Sequence, residues 1–189
     1  MRKLTFPKGS TIYAQGEVIN YVFIVKKGKV KLYFLDNGKE FSFDLVDHNE
    51  IFGGFGEAQE FAQSFEDSQI ILISFDELRR LKRNTLLWIL ERMNQRYKIS
   101  KLRMKKLAFM SLEDRIIHTA LWLAQKVGNL EDGKIILNLS HEDFASFCGA
   151  TRECVSKVLS QMKNSGLVET GRKKIVLYIT EKSRVWGLL

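Results

Sequence analysis

The stretch from Ser140 to Tyr178 constrains the fold more than any other part of the chain. Ser140 and Thr151 are residue types that cap helix N-termini, and Gly149 between them permits the left-handed turn at which helices commonly end. Asp143, three residues after Ser140, completes a variant capping box with Asp in place of Glu or Gln. The pattern predicts two short helices around a turn, from about His141 to Cys148 and from Arg152 to near Gly166.

Apolar residues at spacings of three and four give both predicted helices one shared core. They are Phe144, Phe147, Val155, Val158, Leu159 and Met162. The first turns of the second helix place polar side chains outward, namely Arg152, Glu153, Ser156 and Lys157. In a helix-turn-helix this end enters the major groove, so we expect these four side chains to read base edges.

A basic hairpin is predicted directly after the second helix. Strands at 167–169 and 175–179 flank the turn from Gly171 to Lys174, which carries three cations. Such a wing beside a groove-reading helix suits contact with phosphates. We expect contacts with the DNA backbone from Ser140, His141, Thr151, Arg172, Lys173 and Lys174. The alternative is an ordinary helical hairpin followed by a solvated basic turn.

Three stretches carry a resemblance to a known family. They are Gly149-Ala-Thr-Arg-Glu-Cys-Val-Ser-Lys157 with Gly166-Leu-Val, Leu107 to Arg115 with Ile116 to Ala124, and Phe6 to Glu17. They resemble, in turn, the DNA-binding domain, the hinge with its first helix, and the beginning of the β-roll sensor in the bacterial cyclic-AMP receptor protein and oxygen-responsive regulator superfamily. The resemblance covers nearly the whole chain and is weakest in the middle of the sensor.

The resemblance implies an α+β fold in three parts. A cupin-like β-roll sensor of the cyclic-nucleotide-binding type is expected over residues 1–83. A dimerisation helix with its hinge follows over 84–109, and a winged helix-turn-helix over 110–189. The function implied is that of a bacterial transcription regulator, not an enzyme, which binds a palindromic operator as a homodimer and has RNA polymerase as a further partner. Lys157 stands where arginine is usual in the family.

Composition agrees with a DNA-binding protein. Thirty basic against 22 acidic side chains give a net charge of +8, which favours a polyanionic partner. The sequence has no apolar run of membrane-spanning length and no basic leader followed by an apolar block, so we expect a cytoplasmic protein without a membrane partner.

Short β-branched and aromatic runs predict strands in the first half of the chain. The runs are Val22 to Val25, Val30 to Leu35, Phe41 to Val46 and Ile70 to Ser74. They are separated by Gly28, Asn37-Gly38, Asp47-His-Asn and Gly53-Gly54. Asp36-Asn-Gly38 between apolar runs indicates a tight hairpin. Evenly spaced strands without long helices between them favour a roll or barrel.

A long helix is predicted from Asn84 to about Ala108, after one or two helical turns between Asp76 and Lys82. Residues on it recur at alternating spacings of four and three: Leu86, Leu90, Met93, Tyr97, Ser100, Met104 and Leu107. Such a heptad seam favours dimerisation, and packing on the helix's own β domain is the alternative. The basic residues of this helix are expected on a solvated face, namely Arg92, Arg96, Lys98, Arg103, Lys105 and Lys106.

An acidic block argues against a cyclic nucleotide as effector. Residues 40–78 hold ten Asp or Glu and no Lys or Arg. The family holds its nucleotide with a Gly-Glu segment and a phosphate-clamping Arg-Ser pair, where this chain has Gly54 and Glu60-Phe61, although Gly56-Glu57 is a possible shifted equivalent. Lys101 is the only nearby cation that the sequence offers. A buried phosphate facing carboxylates without a cation is disfavoured, so we expect no cyclic-nucleotide binding.

Other ligands and chemistries are less constrained. His48 as a haem ligand and a phenylalanine-lined pocket are alternatives to a loop histidine and an ordinary core. Cluster-binding members of the resembling family hold iron and sulfur with an amino-terminal cysteine set, and no cysteine precedes Cys148 here, so the resemblance excludes that sensor. Cys148 and Cys154 are expected to be buried free thiols, with a redox switch or a zinc site with His141 as alternatives.

No cofactor or metal is predicted, and the effector is unknown. The sequence lacks the enzyme motifs for phosphate loops, nucleophile elbows and metalloproteases. A protein-interaction module on a winged fold is the remaining alternative.

Overall fold

Eight antiparallel strands form the β part of the first of two units, which span Met1–Lys105 and Lys106–Leu189 in the computed structural model. The structure describes residues 1–179, so residues 180–189 of the expected DNA-binding domain lie outside it. The strands are β1 (Arg2–Phe6), β2 (Thr11–Tyr13), β3 (Val18–Lys27), β4 (Val30–Asp36), β5 (Lys39–Val46), β6 (Ile51–Glu57), β7 (Phe61–Ser64) and β8 (Ser68–Ser74). They form two sheets, ordered β1-β8-β3-β6 and β2-β7-β4-β5.

The core of this unit draws apolar side chains from both sheets. Val25 and Ile70 of the first sheet and Val30, Val46 and Ala62 of the second are fully buried in one cluster. The hairpin between β4 and β5 is confirmed, because Asn37 and Gly38 have φ of 49° and 74° and Asp36 pairs with Lys39. Positive φ at both central residues is the geometry that favours Asn-Gly in two-residue hairpins.

The sequence located four of the eight strands. Strands β3, β4, β5 and β8 confirm the predicted runs, and β1, β2, β6 and β7 were missed. Gly53-Gly54 was wrongly taken as a break between strands, since both residues lie inside β6. Gly53 has φ of 73°, and a Cβ there would lie 2.4 Å from Cδ2 of Phe23. The glycine therefore lets an aromatic ring of β3 lie directly on the backbone of β6.

Two helices complete the first unit. The short helix α1 (Phe75–Arg79) begins with a full capping box, in which Ser74 and Glu77 bond each other's backbone N–H groups. The long helix α2 (Arg83–Phe109) begins and ends within one residue of the prediction. Its Ile89 packs into a second apolar cluster with Val22, Ile24, Ile51 and Ile73, on the sheet that contains β3.

As far as residue 179, the second unit combines three helices with a four-stranded sheet. Its elements are α3 (Leu112–Val127), β9 (Asn129–Glu131), β10 (Lys134–Leu137), α4 (His141–Cys148), α5 (Arg152–Asn164), β11 (Val168–Gly171) and β12 (Lys174–Tyr178). The sheet order is β11-β12-β10-β9, so the predicted wing is joined to a second hairpin that was missed. That hairpin turns at Asp132-Gly133, where φ is positive at both residues. None of the helices in the described part of the chain has the length and apolar character needed to span a bilayer.

The backbone of β6 provides a test of this arrangement. Replacing Gly53 by Ala should destabilise the protein by about 1–3 kcal/mol, because a methyl group would meet Phe23 and the left-handed backbone would be strained. The midpoint of thermal or urea unfolding measures the change. Gly54→Ala is the matched control, since a Cβ there meets no atom within 4 Å. Equal stability of the two variants would contradict the close approach of Phe23.

Candidate nucleic-acid interface

Helices α4 and α5 are joined by the turn that the sequence predicted. The Ser140 hydroxyl accepts the Asp143 N–H at 3.0 Å, and the Thr151 hydroxyl accepts the Cys154 N–H at 3.3 Å. Gly149 adopts the left-handed conformation with φ 63° and ψ 42°, which ends α4. These three residues fix where one helix stops and the next starts. The predicted bounds of α4 and the start of α5 are therefore confirmed.

The capping box at Ser140 differs in one detail from the standard form. The Asp143 carboxylate accepts a hydrogen bond from the Ser140 hydroxyl. In the full box of α1, the longer Glu77 side chain also reaches the backbone N–H of Ser74, at 2.9 Å. Asp is one methylene shorter than Glu, which accounts for the difference.

Arg115 of α3 secures the turn from the opposite side. Its guanidinium donates to the carbonyl oxygens of Cys148 and Gly149, at 3.0 and 3.1 Å. These carbonyls end α4 and lack partners within that helix. This role of Arg115 was not predicted because its partners lie 33 and 34 residues away, whereas sequence patterns relate residues within a few positions.

The predicted base-reading residues lie on one side of the start of α5. Arg152, Glu153 and Lys157 are exposed and Ser156 is half-buried. The buried side of the helix consists of Val155, Leu159 and Met162. Positions 152, 153, 156 and 157 follow the helical period, so the structure brings all four side chains to one outward face.

Glu153 is held in its ionised form. A hydrogen bond from its own backbone N–H, then one from the Thr151 side chain and the charge of Arg152, lower the pKa of its carboxyl group. The exposed face of α5 therefore presents an acceptor directly beside the donor of Arg152 at neutral pH.

The predicted turn from Gly171 to Lys174 is confirmed. Gly171 pairs with Lys174 as the last step of the β11–β12 ladder, and Arg172 and Lys173 are the two central residues of the turn. Lys173, the third residue of this turn, has a positive φ of 55°. Arg172, Lys173 and Lys174 are all exposed. At the base of the wing, the Tyr178 hydroxyl donates to Glu169.

Two predicted residues near the turn have different environments. His141 is half-buried, and its Nε2 atom is enclosed without a hydrogen-bond partner among the described residues. Cys148 is a buried free thiol as expected, but Cys154 is exposed, so the expectation that it is buried is wrong. Cys154 precedes the buried Val155 by one residue, which turns it about 100° away from the core side of α5.

A network of charged residues links α2 to strand β5 within the first unit. Arg96 contacts Asp44 at 2.8 Å, and the two side chains are only 17% and 8% exposed. Arg103 donates to the carbonyl oxygen of Ser42 at 3.4 Å. The expectation of a solvated face is therefore wrong for Arg96 and Arg103, because their partners on β5 draw them toward the sheet.

Lys101 remains a prediction as the cation nearest a nucleotide site. Lys101 is exposed, and its Nζ lies 4.5 Å from the ring centre of Tyr97 on the same helix. Lys31 of β4 is almost fully buried and contacts Glu40 at 2.8 Å. The unit thus contains a buried cation that the charge count alone did not place.

Glu60, which the sequence places near the phosphate clamp of the resembling family, already accepts a hydrogen bond from within the chain. The Tyr13 hydroxyl donates to its carboxylate at 2.7 Å. Burial raises the pKa of Tyr13, the charge of Glu60 and this hydrogen bond raise it further, and Arg96 lowers it. Arg96 therefore lies near Tyr13 and Glu60 as well as beside Asp44.

The other candidate ligand residues are not brought together. The Nδ1 atom of His48 lies 2.9 Å from the Lys26 carbonyl on the surface. Phe52 belongs to the core, whereas Phe55 is 44% exposed. No group of three metal-ligating side chains is found within residues 1–179.

The predicted seam of α2 is largely uncovered. Leu90, Met93, Tyr97 and Met104 are 61%, 47%, 60% and 67% exposed. Leu86, Ser100 and Leu107 are half-buried. Packing of the seam on the helix's own β domain is therefore wrong for the four exposed residues. Ile89, which does pack there, lies at the edge of the seam, in line with Leu107.

Two family models match the chain. Residues 3–85 match the cyclic nucleotide-binding domain, and residues 114–182 match the Crp-like helix-turn-helix domain. The cAMP-activated global transcriptional regulator CRP of Salmonella typhimurium is 26% identical over 187 residues, which cover 93% of this chain and 89% of that protein. The global nitrogen regulator of Synechococcus elongatus is 26% identical over 193 residues, covering 92% and 84%.

The fold is shared with solved structures. A transcriptional regulator of the CRP/FNR family from Thermus thermophilus superposes with a TM-score of 0.85, at 23% identity and over 97% of each chain.

The Arg115 clamp is expected to stabilise the turn between α4 and α5. Arg115→Met should lower the free energy of opening of α4 by about 1–3 kcal/mol, because two partly buried carbonyl oxygens lose their donor. Hydrogen exchange of the α4 amides measures this change. Lys157→Met, at an exposed position, is the control and should leave exchange unchanged. Unchanged α4 exchange in Arg115→Met would show that the clamp contributes nothing.

Proposed function

The chain belongs to the CRP/FNR family of DNA-binding transcription regulators, and we propose that it acts as a homodimer on a palindromic operator. As a member of this family it is a regulator and not an enzyme. The observation that carries the proposal is the exposed polar face at the start of α5, beside an exposed basic wing.

The exposed face of α5 has the chemistry of direct base readout. We assign Arg152 to the O6 and N7 acceptors of guanine, and Glu153 to the N4 amino group of cytosine. Lys157 is assigned to a guanine or a phosphate, because an ammonium lacks the planar fork with which arginine bonds guanine twice. Ser156 lies between them on the same face.

The residues around this face suit backbone contact. Arg172, Lys173 and Lys174 extend on the exposed tip and edge of the wing, and Thr151 and Ser140 lie at helix N-termini, where backbone N–H groups favour anions. His141 is assigned a backbone contact at the first of these termini. Such contacts fix the position of the reading helix without selecting sequence.

The dimer proposal rests on the exposed seam of α2. A helix with four large exposed apolar side chains in a heptad pattern favours pairing with a second copy of itself. Two-fold symmetry then places two reading helices about one turn of DNA apart, at about 34 Å. The operator is accordingly expected to be a palindrome.

We propose that the effector, if one exists, is not a cyclic nucleotide. The support is the pairing of two cations of low exposure with the chain's own carboxylates, Arg96 with Asp44 and Lys31 with Glu40. A nucleotide phosphate that took Arg96 would displace Asp44 and leave this buried carboxylate without a cation. Haem, redox or apolar-ligand sensing are the alternatives within the family. The cAMP activation of the Salmonella protein is a property of that relative.

Cellular placement and partners follow from the same role. We expect a cytoplasmic regulator that contacts RNA polymerase at its promoters. A protein-interaction module on the winged fold is the second candidate, and only a DNA reader will show specific, salt-dependent binding to a palindromic duplex.

Substitutions at Glu153 and Lys173 separate base reading from backbone contact. Glu153→Gln should relax preference at one base pair by about 1–3 kcal/mol. Lys173→Gln should weaken all sequences alike and reduce the salt slope by about 1. Binding to a panel of single-base operator variants at several salt concentrations measures both effects. If both substitutions acted uniformly across the panel, the assignment of roles would be wrong.

The seam is tested by charge insertion. Tyr97→Glu should shift the protein from dimer to monomer, because two copies of the seam would each bury a carboxylate. Sedimentation velocity measures the mass. Leu102→Glu is the matched control, since Leu102 is 53% exposed and lies on the opposite side of the helix from the seam. A monomeric wild type, or equal effects of both variants, would refute dimerisation through the seam.

A further inference from the structure

The side of α2 that faces the β strands changes from apolar to basic along the helix. It begins with the buried Ile89 and continues with Arg92, Arg96 and Arg103, which follow the same stripe at helical spacing. Ile89 is the only buried residue of α2. Beyond it, the side chains of Arg96 and Arg103 contact Asp44 and Ser42 of β5.

Asp44 provides a fixed anchor for these arginines. One of its carboxylate oxygens accepts the Leu45 N–H at 2.7 Å, and the other contacts Arg96 at 2.8 Å. The side chain is 8% exposed, so solvent screens the ion pair weakly. Removing either partner would leave a buried charge without compensation, which is the costly case for a buried ion pair.

The anchor continues into a second group of polar contacts. The Glu40 carboxylate accepts from the Lys31 ammonium at 2.8 Å and from the Ser42 hydroxyl at 3.0 Å. The Ser42 carbonyl in turn accepts from Arg103. Strands β4 and β5 are thus connected to the second half of α2 by paired charges and hydrogen bonds.

We propose that Arg96 and Arg103 are positioning residues that hold α2 against β5, Arg96 by its ion pair with Asp44 and Arg103 by its hydrogen bond to the Ser42 carbonyl, so that operator binding requires no small-molecule anion. Asp44 occupies Arg96 as a bound anion would, but as part of the chain, so no ligand has to be ordered. An external phosphate gains only by displacing a carboxylate that is then left buried. The inference rests on the proposed function, because it concerns how the DNA-binding form of the same regulator is maintained.

The test uses the full chain, dialysed free of small molecules, and two independent measurements. Hydrogen exchange at 92–109 of α2 reports attachment of the helix without DNA. Fluorescence anisotropy reports affinity for a selected operator, with and without cyclic AMP or cyclic GMP. The variants are Arg96→Gln, Asp44→Asn and the double variant. Lys98→Gln on the same helix and Asp36→Asn on β4 are controls that change net charge equally at exposed positions.

The wild type should bind the operator without added ligand, and cyclic nucleotides should change its affinity by less than about twofold, within about 0.4 kcal/mol. Each single variant should speed exchange in α2 and weaken operator binding about tenfold, or about 1.4 kcal/mol. The double variant should be no worse than either single variant, because the pair acts as a unit. Independent contributions of the two side chains would instead give additive losses.

Several results would overturn the inference. They are single variants that behave like the Lys98 and Asp36 controls, additive losses in the double variant, or a wild type that binds the operator only after a small molecule is added. Failure of the proposed function has a different signature. In that case no duplex is selected with or without cell extract, while the exchange measurement still reports whether the pair holds α2.

Discussion

The attachment of helix α2 to the β strands is the constraint on which the rest of the molecule depends. Among the described residues of this 27-residue helix only Ile89 is buried, and the next contacts with β5 are an ion pair and a hydrogen bond from arginines. One side of the helix is therefore committed to the sheet. The neighbouring side, with Leu90, Met93, Tyr97 and Met104, is left apolar and exposed. An exposed apolar surface of that kind supports the proposed pairing with a second copy of the chain.

The reading end depends on a different local device. Gly149 ends α4 in the left-handed conformation, and Thr151 caps the start of α5. Arg115 donates hydrogen bonds to the carbonyl oxygens of Cys148 and Gly149. The side chains of Arg152 and Glu153 are consequently presented at a fixed N-terminal turn. If these side chains read bases as proposed, their geometry depends on this turn, since binding groups must be held within about 0.5 Å of their productive position.

How much the sequence predicts depends on how far apart the interacting residues lie. The helix caps at Ser140 and Thr151 and the Asn37-Gly38 hairpin were predicted because each depends on residues within four positions. Strand β6 was missed because a glycine at position 53 is required by the close approach of Phe23, which lies 30 positions away along the chain, and not by residues next to it in sequence. The partners of Arg96 and Arg115 could not be predicted for the same reason, because they lie far away along the chain. Cys154 was misassigned because helical phase, not residue type, decides its exposure.

The dimeric reading of DNA is tested most directly by selection of bound duplexes from a random pool, using the full chain without added small molecules. We expect enrichment of a palindrome whose half-sites are centred about 10 base pairs apart, as two reading helices in successive major grooves require. Enrichment of a lone half-site, or of no sequence above the starting pool, would contradict it.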